Sequence, residues 1–328
     1  MAGRSVEEYA APLTVAWQLT NRCGARCIAC CEESGPDRAW RDELTRGEAL
    51  ELAGRIADAG IPYVVFGGGE PLSVAHCWEL FEQLASAGVT LKLETDGHHI
   101  DAAAAQRLAR GSVRCVQIAV DGATAATHER VRPGSSFAGA IAAIECLRAS
   151  GLAPQFVFVP NRFNLAEAVA AYELAARLGC EAFVTGPMMR IGRAAAAWDE
   201  IACDAADWCS TVAALSERAG ALASTTRLCV YPMDILEEMR ARLESPQAML
   251  LIVPNGKVKL LNALPFVAAD VRRDSLQRAW CAYREAWRSP AVSEFIAACC
   301  AQPALLRHAN ETWPLTPTGS QARQRELY

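Results

Sequence analysis

The chain has little lysine and no long apolar run. These two absences argue against a nucleic-acid-binding protein and a membrane-spanning protein respectively. Only three of its 32 basic residues are lysine, and its formal net charge is -5. Proteins that bind a nucleic-acid backbone need an excess of positive charge, so nucleic-acid binding is excluded as the main activity. No apolar run reaches the ~18 residues of a membrane span, and residues 1–13 carry no export signal. We therefore expect a cytoplasmic protein with no membrane partner.

Cysteine, in contrast, is abundant, and the apolar content supports a large core. The chain has 14 cysteines in 328 residues, and 52% of the residues are hydrophobic. This length fits one large α/β domain with a smaller addition. In a chain without an export signal, so many cysteines are not expected to form a disulfide framework. Free thiols and metal ligands are the expected forms.

Strand-like and helix-like segments alternate six times in the first part of the chain. The predicted strands cover residues 12–20, 63–66, 89–94, 113–120, 154–159 and 181–185. Such alternation is typical of parallel βαβ units with right-handed crossovers. We therefore predict an α/β fold with a partial (β/α)6 TIM-like barrel, whose functional residues lie at the C-terminal ends of the strands.

The alternation ends near residue 193. Residues 249–253 and 257–261 flank Pro254-Asn255-Gly256, which predicts a β-hairpin within a smaller C-terminal α+β capping region. The predicted domains are an extension at 1–12, the barrel at 13–193, the capping region at 194–313 and a flexible tail at 314–328.

Three cysteines follow the first predicted strand with the spacing C-x3-C-x2-C: Cys23, Cys27 and Cys30. A structural zinc site needs four protein ligands, whereas a catalytic metal or an iron–sulfur cluster can keep one position open. Three thiolates on one loop favour such an open site. The alternative is that they are ordinary small buried residues in a cysteine-rich chain.

With the other strand ends included, residues 13–193 resemble the radical S-adenosylmethionine (SAM) superfamily. The chain is most similar to the peptide- and natural-product-modifying branch with a C-terminal SPASM or twitch domain. Besides the cysteine triad, the matching residues are Gly68-Gly69-Glu70-Pro71, Thr95-Asp96-Gly97, Val120-Asp121-Gly122, His128, Arg132, Asn164 and Gly192-Arg193. Each match is weak alone, but their order at successive predicted strand ends is specific.

The resemblance implies a radical mechanism. Cys23, Cys27 and Cys30 would hold three irons of one [4Fe-4S] cluster, and SAM would chelate the fourth. One-electron reduction, from a partner such as flavodoxin or ferredoxin, would cleave SAM to methionine and a 5′-deoxyadenosyl radical. That radical would abstract hydrogen from a substrate, and the resemblance places the expected enzyme broadly among the oxidoreductases.

The resemblance also implies a set of SAM-binding residues: Gly68, Gly69, Glu70, Pro71, Thr95, Asp121, Arg132 and Asn164. The glycines would let the backbone approach the methionine ammonium, beside the charge of Glu70. Arg132 would pair with the SAM carboxylate, Thr95 and Asp121 would meet the ribose hydroxyls, and Asn164 would contact the nucleoside or the carboxylate. Each has an ordinary structural alternative as a turn residue, a helix cap or a solvated charge.

Several positions depart from the family pattern. Ala29 stands where relatives place an aromatic residue or histidine against the adenine, so Ile28, Thr185 or Met188 would have to cover the base. Cys31 follows the third ligand and is interpreted as a bystander. The cysteines that relatives carry around the hairpin are missing, so we expect one cluster and no auxiliary cluster.

Three functions remain open at this point. The leading hypothesis is tailoring of a ribosomal peptide or a small natural product. Without an auxiliary cluster, redox-neutral outcomes are favoured, and Cys229 or Cys203 would be the hydrogen donor. The alternative is a radical SAM epimerase, dehydratase or decarboxylase acting on a sugar or tetrapyrrole in antibiotic or cofactor biosynthesis. A non-catalytic scaffold is the third, although the intact triad argues against it.

Overall fold

One sheet of 11 strands organises the protein, which a computed structural model describes over residues 6–315. Its first six strands are β1 (Thr14–Thr20), β2 (Tyr63–Gly68), β3 (Thr90–Thr95), β4 (Val113–Ala119), β5 (Gln155–Phe158) and β6 (Ala182–Thr185). They pair in parallel, each with the next along the chain. This confirms the prediction of an α/β fold with a partial barrel.

Helices cross between these strands. They are α1 (Arg46–Asp58), α2 (Cys77–Ser86), α3 (Ala102–Arg110), α4 (Ala125–Val131), α5 (Phe137–Ala149) and α6 (Ala168–Arg177). Thr45 and Glu48 form a capping box that starts α1, because each side chain accepts from the other residue's backbone N–H. The sequence did not predict α4, which has only seven residues and follows the Asp121-Gly122 turn.

The same sheet continues beyond residue 194. The remaining elements are α7 (Arg193–Ala196), α8 (Trp198–Ile201), α9 (Ala205–Ala221), β7 (Arg227–Val230), α10 (Ile235–Glu244), β8 (Met249–Ile252), β9 (Lys257–Lys259), β10 (Phe266–Asp270), α11 (Leu276–Ala286), α12 (Pro290–Ala301) and β11 (Trp313–Pro314). The strand order is β11-β10-β9-β8-β1-β2-β3-β4-β5-β6-β7. The added strands β7 and β8 pair in parallel with β6 and β1 respectively.

The predicted hairpin is β8 and β9, which pair antiparallel across a turn where Gly256 has φ +80°. This region joins the barrel sheet at the β1 edge. The domain boundary near 194 therefore stays a prediction, since the sheet crosses it. Trp313–Pro314 pairs with β10, and residues 316–328 of the predicted tail lie outside the described residues.

The two faces of the sheet differ in polarity. Large apolar side chains such as Trp17, Phe66 and Phe183 are buried in the hydrophobic core. The barrel interior is lined in part by Lys92 and Gln117, which lie on neighbouring strands. Polar groups are thereby placed inside the barrel. In the part of the chain that is described, no helix is long and apolar enough to span a bilayer.

Candidate functional site

The loop that carries the three cysteines, residues 21–35, follows β1 and is here called the cysteine loop. Hydrogen bonds between its two ends close it. Cys23 N donates to Gly35 O (3.1 Å), and Gly35 N donates to Asn21 O (3.4 Å). Ser34 Oγ donates to Asn21 Oδ1 (2.8 Å), with both side chains buried. The loop therefore has a fixed base, from which Cys27 and Cys30 extend.

The three thiols lie in a partly buried setting with arginine cations nearby. Burial raises the pKa of all three, that of Cys23 to about 12. The charges of Arg132 and Arg193 oppose that rise at Cys27, and Arg193 does so at Cys30. Cations beside thiols favour the thiolate, which is the form that binds metal. Three soft donors on one loop with adjacent positive charge fit an iron–sulfur cluster in the chemistry of the donor set.

Within residues 6–315, no group of three or more His, Cys, Asp or Glu side chains is arranged around a single metal ion. Ligation of a cluster by the cysteine triad therefore stays a proposal, which is taken up below.

The end of β2 packs directly on the start of the cysteine loop. Gly69 N donates to Thr20 O (2.7 Å), and Glu70 N donates to Arg22 O (2.8 Å). A Cβ on Gly69 would lie 2.0 Å from Arg22 O, which no side chain tolerates. The close approach that glycine permits here is to the chain's own backbone, and it sets the position of the loop relative to β2.

Gly69→Ala is therefore expected to destabilise the protein, whereas Gly24→Ala is not. A Cβ at Gly24, on the same loop, would meet nothing within 4 Å. Forced overpacking at Gly69 is expected to cost about 3 kcal/mol, and Gly24→Ala should stay within about 1 kcal/mol of wild type. Urea unfolding of the two apo-variants measures the difference. Equal unfolding midpoints would contradict the backbone packing described here.

Glu70 and Thr95 hold the ends of β2 and β3 together. Thr95 Oγ1 donates to the Glu70 carboxylate (2.8 and 2.9 Å), and Asp96 N donates to it as well (3.0 Å). Burial, followed by the charge of Asp96, raises the pKa of Glu70 to about 8. The Thr95 hydroxyl also accepts from Gly97 N (3.1 Å). Both predicted SAM contacts are therefore already engaged in contacts within the protein.

Asp96 is a buried carboxyl group that the sequence analysis names within the Thr95-Asp96-Gly97 match but to which it gives no role. It is 7% exposed, and its Oδ1 accepts from His98 N (2.8 Å). Its charge adds to burial in raising the pKa of both Cys23 and Cys27. Its position directly after Thr95, at a strand end, was the available signal.

Asp121 and Arg132 form a buried ion pair. Arg132 Nη1 donates to Asp121 Oδ2 (2.9 Å), with the two side chains 13% and 4% exposed. Asp121 Oδ1 accepts from Val159 N (2.7 Å), so the carboxylate joins the ends of β4 and β5. Burial opposes the charge of Arg132, but Cys27 and Asp121 together raise its pKa above the usual value. Arg132 Nε is buried and finds no hydrogen-bond partner among residues 6–315.

Asn164 and His128 support this pair. The Asn164 amide donates to the carbonyl oxygens of Asp121 (3.2 Å) and Val159 (3.0 Å), and its Oδ1 accepts from Asn161 N (2.7 Å). His128 Nδ1 accepts from Asp121 N (3.1 Å), and burial lowers its pKa to about 4. Every polar atom of the Asn164 side chain is thus engaged, and it makes no side-chain cap for the helix that follows.

A cavity of about 520 Å³ occupies the barrel interior and reaches the cysteine loop. Its lining includes Ala29, Cys31 and Glu32 of the loop and Thr185 at the end of β6. Thr185 is 3% exposed, and its hydroxyl has no hydrogen-bond partner in the described part of the chain. The cavity therefore presents an unused polar group beside the loop.

The structure does not bring the predicted hydrogen donors to this cavity. Neither Cys229 nor Cys203 is part of its lining, and burial raises the pKa of Cys203 to about 11. Cys31, interpreted from the sequence as a bystander, is the cysteine that lines it. The alternation of side chains along a strand cannot show this, because Cys31 lies on an irregular loop.

An apolar cluster surrounds the position where the family aromatic is missing. A buried cluster of Met188, Ala194 and Ile201 is covered by Ile28, Ala29, Phe163 and Trp198. Ile28 and Met188 are two of the residues predicted to cover the adenine. Phe163 is an aromatic residue that the sequence reasoning missed, since it lies two residues past Asn161 in a loop.

The C-terminal region contacts the cysteine loop from the other side. Asn310 Nδ2 donates to Cys31 O (2.8 Å), and Lys259 of β9 is buried beside Glu32. Burial lowers the pKa of Lys259 to about 7 and raises that of Glu32 to about 7. The loop is thus enclosed by the barrel on one side and by the C-terminal strands on the other.

Most of the parallel barrel, and the three-cysteine loop at its rim, lie within a segment that matches a known family. Residues 17–188 match the model of the Radical SAM superfamily, which is more than half of the chain. The chain therefore belongs to the radical SAM superfamily.

Curated relatives match the same part of the chain. The chain is 34% identical over 194 residues to mycofactocin maturase MftC of Mycobacterium ulcerans, covering 58% of this chain and 51% of that protein. It is 31% identical over 185 residues to an AdoMet-dependent heme synthase of Methanosarcina barkeri, covering 56% of this chain and 52% of that protein. The chain thus spans about half the length of the curated relatives it matches.

Solved structures extend the likeness in fold. Streptococcus suis SuiB bound to S-adenosylmethionine superposes with a TM-score of 0.70 at 13% identity, covering 90% of this chain and 72% of SuiB. Native anSMEcpe with bound AdoMet superposes with a TM-score of 0.61 at 15% identity, covering 84% of this chain and 82% of that protein. These matches cover 84 to 90% of the chain, so the shared fold extends beyond the family match over residues 17–188.

Proposed function

We propose that the protein is a radical SAM enzyme in which Cys23, Cys27 and Cys30 hold one [4Fe-4S] cluster at the rim of the barrel cavity. The observation that carries the proposal is that the cysteine loop adjoins the cavity, packs on the end of β2, and donates from Arg26 N and Ile28 N to the carbonyl oxygens of Pro133 and Val131, which flank Arg132. The cluster would supply one electron for cleavage of SAM to methionine and a 5′-deoxyadenosyl radical.

The chain's own residues would bind and enclose SAM. Arg132 has a charged donor, Nε, left over after pairing with Asp121, and we assign it to the SAM carboxylate. The Ile28, Met188 and Phe163 cluster would cover the adenine, because apolar and aromatic side chains pack on a flat base. Thr95, Asp121 and Asn164 would act indirectly, by holding the strand ends in place.

The cavity favours a peptide or small natural product over a tetrapyrrole. Its charged lining consists of the acids Glu32, Glu94 and Glu238 and the cations Lys92 and Arg242. Both cations already pair with carboxylates, Lys92 with Glu94 (2.8 Å) and Arg242 with Glu238 (3.2 Å). No lining cation is therefore left to pair with the propionates of a tetrapyrrole, whereas a peptide segment carries no such charge requirement. SuiB, which shares the fold, has been solved with the precursor peptide SuiA.

Anaerobic reconstitution with iron and sulfide tests the proposal. We expect about four irons per chain, and 5′-deoxyadenosine once the protein is reduced with SAM present. Dithionite serves as the chemical reductant, and a protein of the flavodoxin or ferredoxin class is expected to support the same reaction in its place. Protein that takes up no iron would contradict the proposed function. About eight irons would contradict the single cluster but not the SAM chemistry.

A further inference from the structure

Arg193, the first residue of α7, donates three hydrogen bonds to the backbone of the cysteine loop. Its Nε donates to Cys27 O (2.7 Å), and its Nη2 donates to Ser34 O (2.6 Å). Its backbone N donates to Cys30 O (3.0 Å). One residue thus contacts three carbonyl oxygens spread along the loop, from a position more than 150 residues away in the chain.

Gly192 allows Arg193 to approach the loop closely enough for these hydrogen bonds. It has φ +58°, and a Cβ there would lie 2.3 Å from Cys31 O and 2.5 Å from Cys30 O. Both the backbone conformation and the close contact exclude other residues. Gly192 and Arg193 therefore act together, because the glycine brings the backbone against the loop and the arginine side chain then reaches the carbonyls on either side.

Other contacts also hold the loop: Asn310 Nδ2 donates to Cys31 O (2.8 Å), and Ser34 N donates to Cys30 Sγ (3.3 Å). Within it, Cys30 N donates to Cys27 O at 3.3 Å, while Arg26 and Ile28 donate to the carbonyls of Pro133 and Val131. The guanidinium fork adds two charge-assisted hydrogen bonds, which are stronger than neutral ones. It also places a fixed positive charge 2.7 Å from the carbonyl oxygen of Cys27, one of the proposed cluster ligands.

We propose that Arg193 is a positioning residue that holds the cysteine loop in its cluster-binding shape before the cluster is inserted, and that its charge raises the reduction potential of the bound cluster. The second half rests on the proposed function, since it needs a cluster on this loop. A positive charge nearby stabilises the more negative, reduced state, so its removal lowers the potential.

Two substitutions of Arg193 distinguish the effect of its two-pronged hydrogen bonding from the effect of its positive charge. Arg193→Gln removes both, and Arg193→Lys keeps the charge but not the two-pronged contact. Arg227→Gln is the matched control, because Arg227 lies on β7 and pairs with Glu181 at the surface. Thermal unfolding of each apo-protein checks that it is folded.

Hydrogen exchange of the apo-proteins tests the positioning half without any metal. Amides of residues 24–35 should exchange about tenfold faster or more in both Arg193 variants and at the wild-type rate in Arg227→Gln. Wild-type exchange in Arg193→Gln would overturn this half. If Arg193→Gln does not fold, Arg193→Lys decides the question.

A potentiometric titration of the reconstituted proteins, followed by electron paramagnetic resonance, tests the charge half. Arg193→Gln should have a lower cluster potential than wild type, and Arg193→Lys should stay close to it. Equal potentials in all variants would overturn this half. A wild-type protein that takes up no iron would instead refute the proposed function, and the exchange result would still stand.

Discussion

Cys27→Ala is expected to abolish formation of 5′-deoxyadenosine while leaving the apo-protein folded. Cys27 lies in the middle of the cysteine loop, and the contact that fixes its backbone is made by its carbonyl oxygen to Arg193. Removal of the thiol leaves that contact in place, so the fold should survive. The loss of one of three ligands should leave the cluster incomplete, and iron content should fall well below the about four atoms expected for wild type.

Two other cysteines provide matched controls for this experiment. Cys31→Ala alters the residue next to Cys30 and should retain about four irons, because only the triad is proposed to bind iron. Cys209 is exposed on α9, and Cys209→Ala should retain both iron and SAM cleavage. Iron content, circular dichroism and product formation are measured side by side. Cleavage of SAM by Cys27→Ala at the wild-type rate would refute the assignment of the loop.

The barrel was predictable because its sequence signals are local. Short apolar runs end in glycine or aspartate at Gly67, Thr95-Asp96 and Asp121, and each of these lies at or just after the end of an observed strand. Parallel strands place such ends on one edge of the sheet. The neighbourhood of the cysteine loop follows from that geometry alone. The antiparallel hairpin was predictable in the same way, from the Pro-Asn-Gly turn.

The contacts around the loop were not predictable, because they depend on tertiary register. The bonds of Arg193 to Cys27 and Ser34 join residues 166 and 159 positions apart. The pairing of β8 with β1 likewise joins residues far apart in the chain, such as Thr14 and Met249. No periodicity in the sequence carries such information. Glu70 and Thr95 show the same limit, since their mutual hydrogen bonds use groups that the sequence assigns to SAM.

These engaged polar groups change the interpretation of the strand ends. Glu70, Thr95, Asp121 and Asn164 mainly hydrogen-bond to the protein itself, and together they join the ends of β2, β3, β4 and β5. A binding site for a reactive intermediate needs rigid walls, because small displacements are costly in rate. The strand ends would therefore contribute to catalysis by holding Arg132, the loop and the cavity in a fixed geometry.

The ion pair between Arg132 and Asp121 should show this rigidity as a measurable coupling. Arg132→Met leaves Asp121 buried without its cation, and Asp121→Asn leaves Arg132 beside a neutral amide that still accepts from Val159 N. Each single change is expected to destabilise the apo-protein by about 3 kcal/mol, because it strands a buried charge. The double variant should lose less than the sum, with a coupling of about 2 kcal/mol.

Urea unfolding of the four apo-proteins measures this cycle, and the exposed pair Arg227 and Glu181 provides a control cycle in which little coupling is expected. The two single variants should also differ in their affinity for SAM after reconstitution. Asp121→Asn keeps the Arg132 guanidinium, so it should retain part of the affinity, whereas Arg132→Met should lose the contact to the SAM carboxylate. Additive stability losses would show that the pair is not coupled. Equal SAM affinities in the two variants would remove Arg132 from the binding site, even if the pair holds the strand ends together.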